Sequence, residues 1–396
     1  MPPHDPRPTN SPSSPRLIMN LQTAPDVPAT GRLAIVHDYL IQMGGAEQVV
    51  ASLHKALPQA PIFTSVVDRQ QLLPDLRAAS IQDSWMRALP GVSRHFKRYF
   101  PLYPSAFRSL GRIDCDVALI SSSGFAKWAR FAPHATTISY CHTPARFIWM
   151  PDQYLEHEPI HPMLKAAAKL MLKPLRQRDY AIAQKIDYFI ANSAYIQARI
   201  KQFYGRDSTV IHPPVNLAEF SPTQDHGGYY LIASRLVGYK RIDIAVKAFS
   251  QNGRRLIVVG DGPDRARLQA MAGPSVEFKG WLPRAEMLAY LQNCYAFVFP
   301  GLEDFGITPV EAQACGKPVL AFGQGGVLET VVPGLSGMFF EAQSADSLNG
   351  RLQDFEAQQW SADAIAGHAA QFGEARFIEQ ITQYVNEVLA QRGSAV

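Results

Sequence analysis

Two carboxylates eight positions apart frame the chemistry open to this chain. Glu303 and Glu311 lie in Gly301-Leu-Glu-Asp-Phe-Gly-Ile-Thr-Pro-Val-Glu-Ala-Gln-Ala-Cys-Gly316, on either side of a glycine-bearing turn. Upstream, the apolar run Tyr295-Ala-Phe-Val-Phe299 ends at Pro300 and reads as a buried strand. Thr308 suits an N-cap, Pro309 the first helical position and Gly316 the stop. The free N–H groups at the start of that helix can hold an anion. One carboxylate before the anion site and one inside the helix suit a ligand with phosphate at its centre and hydroxyl-rich sugars on both sides. Structural readings stand beside this one. Glu311 fits a capping box with Thr308, and Glu303 could be a solvated loop acid.

A second cluster lies in Ser234-Arg-Leu-Val-Gly-Tyr-Lys240, after a strand-like run. Gly238 lets the loop turn tightly, so that Arg235 and Lys240 can converge on one phosphate; two exposed surface cations are the alternative. Gly44 and Gly45 separate the first strand from a helix beginning near Ala46 and allow close backbone approach to a ligand. Glu47, in the first turn, is explained by the helix dipole. In Tyr140-Cys-His-Thr-Pro144, Thr143 and Pro144 fit a helix start and leave His142 at a strand tip facing the cleft, as ligand contact or structural histidine. Val259-Gly-Asp-Gly-Pro263 fails as a dinucleotide fingerprint, because Arg265 stands where the third glycine belongs; it reads as a strand-to-helix turn near a ligand. Ser193 is accounted for as an N-cap, and Gly323-Gln-Gly-Gly326 as a tight crossing without chemistry.

These residues need rigid elements behind them. A chain of 396 residues with 47% hydrophobic residues is a prior for two domains with real cores. Strand-like runs alternate with helical patterns: Leu33–Val36, Val117–Ile120, Thr136–Tyr140 and Tyr188–Ala191 in the first half. Tyr229–Ala233, Arg255–Val259, Val276–Phe278, Ala296–Phe299 and Val319–Ala321 follow in the second. The pattern predicts an α/β protein of two doubly wound, Rossmann-like domains with ligands bound in the cleft at the carboxyl ends of the strands. The expected division is a tail over 1–30, a first domain over 31–215, a second over 216–375, and a C-terminal helix over 376–396 packing back on the first. Pro213 to Gly228 reads as the linker.

Charge excludes little but points away from nucleic acid, since the net value is only +4. Cys115, Cys141, Cys294 and Cys315 form no C-x-x-C pair and read as core residues of a reducing compartment. No run is long enough for a membrane span, and the Pro- and Ser-rich start, with a second possible initiator at Met19, lacks a signal-peptide centre. The expectation is a cytoplasmic protein, peripheral at the inner face of the plasma membrane. Trp85 to Arg112 interleaves Arg87, Arg94, Lys97, Arg98, Arg108 and Arg112 with six aromatics, and Lys165, Lys169 and Lys173 recur at four-residue spacing. Both stretches suit an anionic lipid surface or, equally, an ordinary solvated face.

In combination, Glu303-x7-Glu311, Ser234-Arg-Leu-x3-Lys240, Gly44-Gly45 and Gly260-Asp-Gly-Pro263 resemble the retaining nucleotide-sugar glycosyltransferases of family 4, which have the GT-B fold. His37-Asp-Tyr-Leu, Cys141 to Trp149 and Val210-Ile-His-Pro-Pro-Val215 bring the likeness closer to bacterial mannosyltransferases of O-antigen and exopolysaccharide assembly. The resemblance implies that Arg235 and Lys240 neutralise the donor diphosphate, cradled by backbone N–H groups around Gly306 and Ile307. It implies that Glu311 holds the ribose, Glu303 the transferred sugar, and His142 the region of the anomeric carbon, with Gly44 and Gly45 closing beneath the phosphate. No metal or other cofactor is expected, because the cations can balance the leaving group. GDP-mannose and a lipid-linked saccharide are the implied substrates. UDP- or ADP-sugar donors, an epimerase of similar fold and a non-catalytic membrane scaffold stay open. The chain departs from the pattern where Met150 and Pro151 delay an acid until Asp152, and where Ala46-Glu47 replaces Glu-Lys.

Overall fold

The computed structural model describes residues 32–151 and 162–393. Asp152, the N-terminal tail and the side chains of Lys97, Lys165 and Lys169 lie outside what is described.

Each half of the chain builds one all-parallel sheet. The first holds β1 (Leu33–His37), β2 (Ile62–Thr64), β3 (Ile81–Asp83), β5 (Val117–Ser122), β7 (Thr136–Cys141), β8 (Tyr188–Ala191) and β9 (Thr209–Val210), in the order β3-β2-β1-β5-β7-β8-β9. A separate two-stranded ladder joins β4 (Arg112–Ile113) to β6 (Arg130–Phe131). The second sheet holds β10 (Tyr230–Ala233), β11 (Leu256–Val259), β12 (Val276–Gly280), β13 (Ala296–Phe299), β14 (Val319–Phe322) and β15 (Gly337–Phe340), in the order β12-β11-β10-β13-β14-β15. The fold is therefore two doubly wound α/β units of GT-B type. Strand order reverses between β1 and β5 and again between β10 and β13, where such sheets bind ligands.

Period-two alternation explains why both sheets are covered on both faces. Ala34 and Val36 enter one apolar cluster with Phe107 and Phe189, whereas Ile35 enters another with Val49, Leu53 and Ile138. In the second sheet Leu231 faces Phe297 and Val310, while Tyr230 and Ile232 face Phe249 and Leu348. The helix Glu374–Gly393 crosses back to the first unit. Its Phe377, Ile381 and Val385 join the Ile35 cluster, and Glu374 accepts from Ser52 Oγ at 2.6 Å and pairs with Lys55 at 2.9 Å. The two interdomain crossings are tied together: Val215 N–H donates to Phe372 O, and Glu374 N–H to Val215 O.

Three local expectations change. Thr308 is not the N-cap of the helix Ile307–Ala314; Gly306 is, at φ 93°, so the left-handed glycine turns the loop directly into the helix and Thr308 and Pro309 fall inside the first turn. Thr143 starts no helix either, since the next one, Arg146–Trp149, begins after Ala145. The aromatics of 85–112 mostly point inward. Tyr103 and Phe107 are buried, Phe96, Tyr99 and Phe100 pack on the same core, and Trp85 alone of the six is exposed. Arg87, Arg94, Arg98, Arg108 and Arg112 remain outside.

Candidate active site

Loops leaving β10 and β13 bring the acid and base residues of the second unit together. Lys240 Nζ forms an ion pair with Glu303 Oε1, both side chains mostly shielded from water. Arg241, at φ 51°, is the only non-glycine with positive φ among the described residues, and it bends the chain sharply just after Lys240. Arg235 Nη2 reaches Tyr239 Oη at 3.4 Å, and Lys240 Nζ lies 5.4 Å from the centre of the Tyr239 ring. Arg235 and Lys240 thus flank one tyrosine. Beyond them, Gly306 opens the helix whose first N–H groups have no intrahelical partner.

Glycines from two other loops hold this arrangement. A Cβ on Gly260 (φ 126°) would lie 1.9 Å from Ser234 O, so the Gly260-Asp-Gly-Pro263 turn buttresses the Arg235 loop. Leu236 N–H donates to Asp261 O, and Asp264 N–H to Leu236 O, completing that support. A Cβ on Gly326 would lie 2.2 Å from Asp304 O, and Gly326 N–H donates to Glu303 O. The 323–326 glycines therefore set the Glu303 backbone, a positioning role beyond the tight crossing expected of them.

Glu311 does not close a capping box. Its Oε1 pairs at 3.0 Å with Arg284, which also reaches Glu219 at 2.9 Å. Burial raises the Glu311 carboxyl pKa, and Arg284 opposes that rise.

The first unit meets this surface closely. A Cβ on Gly45 would lie 2.7 Å from Ile307 Cδ1, which brings the Gly44-Gly45 loop against the helix start. Glu47 is more than a dipole residue: it is 1% exposed, its Oε2 accepts Gly44 N–H at 3.1 Å, and its Oε1 has no hydrogen-bond partner. Burial pushes its carboxyl up to about 7, although Arg235 of the other unit acts on it electrostatically in the opposite direction. Arg146 pairs with Asp304 at 2.6 Å and stacks over Tyr239. Ser193 caps its helix as expected and also donates across the cleft to Asp304 O at 2.6 Å.

His142 lies at the tip of β7, its Nε2 2.7 Å from Ser121 Oγ, which in turn lies 3.1 Å from His37 Nδ1. Burial, and then the neighbouring His37, push the His142 imidazole down to about 3, so the ring is neutral near pH 7. Asp38 accepts from the backbone N–H groups of Ser123, Phe125 and Ala126 at 2.6–2.7 Å and fixes the loop beside this chain of hydrogen bonds. Sequence reasoning passed over Arg146, Asp304 and Arg284. The first two lie inside the quoted Cys141–Trp149 and Gly301–Gly316 runs, but their pairing across more than 150 positions leaves no local mark.

Two parallel-sheet units that meet beside the Lys240–Glu303 pair give the architecture of the GT-B proteins. The family model Glycosyltransferase Family 4 matches residues 43–219, and Glycosyl transferases group 1 matches residues 218–374. Together they run through most of the chain, which belongs to the family 4 glycosyltransferases. Among curated relatives, a GDP-mannose-dependent monoacylated alpha-(1-6)-phosphatidylinositol monomannoside mannosyltransferase of Corynebacterium glutamicum is 31% identical over 211 residues. That match takes in 45% of this chain and 55% of the relative. The chain thus spans little more than half the length of that relative. Alpha-1,3/1,6-mannosyltransferase ALG2 of Kluyveromyces lactis is 25% identical, covering 83% of this chain and 76% of its own. Among solved structures, sucrose-phosphate synthase of Thermosynechococcus elongatus superimposes with TM-score 0.69 at 17% identity, over 91% of this chain and all of the other. Anabaena HepE in complex with UDP gives 0.64 at 18%, over 90% of this chain and all of the other. At such identities these two speak for the fold alone.

Proposed function

We propose that this protein is a retaining hexosyltransferase that moves mannose from GDP-mannose onto a lipid-linked saccharide, without a metal. The observation that carries the reading is the Lys240–Glu303 pair beside the Gly306–Ile307 helix start, with Gly45 opposed to it. A diphosphate entering there competes with Glu303 for Lys240. The lysine and Arg235 turn to the phosphates, and Glu303 is released to accept hydrogen bonds from the sugar.

Charge-assisted hydrogen bonds of about 1.5–3 kcal/mol each would give roughly 3–6 kcal/mol for the two cations. As the anomeric bond breaks, negative charge grows on the leaving diphosphate, where the helix N–H groups and the reoriented Arg235 and Lys240 stabilise it. That positive charge does the work a divalent cation does elsewhere. Glu311 holds the ribose, and neutral His142 offers a hydrogen bond without adding charge beside the developing cation. The acceptor hydroxyl attacks from the face the diphosphate leaves, and a phosphate oxygen takes its proton. The mannosyltransferase relatives support mannose as the sugar. The outward arginines of 87–112 support an anionic lipid surface at the acceptor side, with the protein peripheral at the inner face of the plasma membrane. Among the described residues, no helix is long and apolar enough to cross a membrane.

The test is transfer from radiolabelled GDP-mannose to lipid-linked saccharide in inverted membranes, with and without EDTA, and with product configuration read by NMR. EDTA-indifferent transfer with retained configuration is expected. GDP-mannose left intact while UDP- or ADP-sugars are consumed would replace the donor, and inverted product would remove the mechanism.

A further inference from the structure

Arg284 is the first residue of the helix Arg284–Asn293, and nothing in the motifs assigns it a role. Its guanidinium makes a fork between two carboxylates, with Nη2 3.0 Å from Glu311 Oε1 and Nε 2.9 Å from Glu219 Oε2. The same group lies 5.3 Å from the centre of the Phe220 ring. Glu219 is held in turn, because its Oε1 accepts from Asn216 Nδ2 at 2.8 Å. Asn216 to Phe220 directly follows Val215, where the chain crosses between the units. The side chain of Glu311 is only 13% exposed, whereas Arg284 and Glu219 are near 40%. A planar guanidinium fixed at two points imposes one rotamer on the more buried partner, which an ammonium cannot do. The contact uses Glu311 Oε1 and leaves Oε2 outside it.

We propose that Arg284 is a positioning residue for nucleotide recognition: anchored by Glu219 and Phe220, it holds the Glu311 carboxylate in the orientation that accepts the two ribose hydroxyls of the donor. This rests on the assignment of the ribose to Glu311. Without Arg284 the carboxylate is free to turn, and its burial favours protonation, which replaces an acceptor with a donor. The plain alternative is a half-exposed ion pair with little effect on anything.

Calorimetric affinities separate these accounts, with GDP and 2′,3′-dideoxy-GDP as probes, and UDP with its dideoxy form in parallel. Two hydroxyl contacts to a carboxylate should make the wild-type protein prefer the ribose form by about two to four powers of ten. Arg284→Ala should abolish most of that preference while leaving affinity for the dideoxy form unchanged. Arg284→Lys should keep part of it, and Glu219→Gln should erode it less than Arg284→Ala does. A variant that weakens both forms equally, or keeps the full preference, overturns the role of Arg284 and leaves Glu311 in place. A wild-type protein that does not distinguish the two forms, or binds none of the four, overturns the ribose assignment and the inference with it. Should Arg284→Ala misfold, the Lys and Gln variants carry the same comparison.

Discussion

Lys240 and Glu303 pair with each other across the cleft wall, so their single substitutions should part company once donor is present. Lys240→Ala should weaken nucleoside-diphosphate binding by about ten- to a hundredfold, the size of one charge-assisted contact. Glu303→Ala should spare that binding, or improve it by freeing Lys240, and still cut sugar transfer. Titration of the two variants with the same diphosphate checks both statements. Glu47 gives a pH signature. Its carboxyl holds a proton up to about 7 in the folded protein against 4.5 ordinarily, so it favours folding at low pH. That contribution is complete below about 4.5 and is lost as pH rises through about 7, an upper bound of about 3 kcal/mol. Denaturant unfolding at pH 5 and pH 8 should show a smaller pH-dependent loss in Glu47→Gln than in the wild type. An equal loss in both would show that Glu47 titrates normally.

At the scale of elements, the glycines separate two kinds of constraint. Gly326→Ala drives a methyl into the Asp304 and Phe305 backbone, which cannot yield cheaply, so a loss of about 1–3 kcal/mol is expected by thermal unfolding. Gly45→Ala meets only the tip of Ile307, a side chain that can rotate, so stability should change little while donor affinity falls. The sequence made the continuous apolar strands legible: Tyr188–Ala191 and Ala296–Phe299 stand where their apolar runs and flanks put them. It hid Ile62–Thr64, Ile81–Asp83 and Thr209–Val210, edge or near-edge strands too short for any period to register. Thr308 misled because N-cap preference is a local statistic, and Gly306 offered a sharper turn two residues earlier. The placement of the Arg235–Lys240 and Glu303 loops at strand ends could be read because each is a short contiguous run after a strand. Arg146–Asp304 and Arg284–Glu311 could not, because distant segments meet only when the sheets are assembled.

At the scale of the whole molecule, polar side chains join the two units across the cleft. Glu329 of the second unit accepts the Ala194 N–H at 2.8 Å and pairs with His212 at 3.1 Å, and Arg146–Asp304 bridges the cleft beside the Lys240–Glu303 pair. These few polar contacts should be marginal for stability and decisive for the closed population. Arg146→Ala should therefore enlarge the radius of gyration in X-ray scattering, with saturating diphosphate restoring part of the change. An unaltered profile would mean that Arg146 holds nothing shut. The claim beneath all of this is a nucleoside diphosphate held by protein cations alone. It is tested most directly by a thermal-shift panel of GDP, UDP, ADP and NAD, each with and without EDTA. Stabilisation grows with ligand excess over Kd, so a GDP-selective rise in Tm, unchanged by EDTA, is the expected result. A rise that vanishes with EDTA, or no rise with any nucleoside diphosphate, would contradict it.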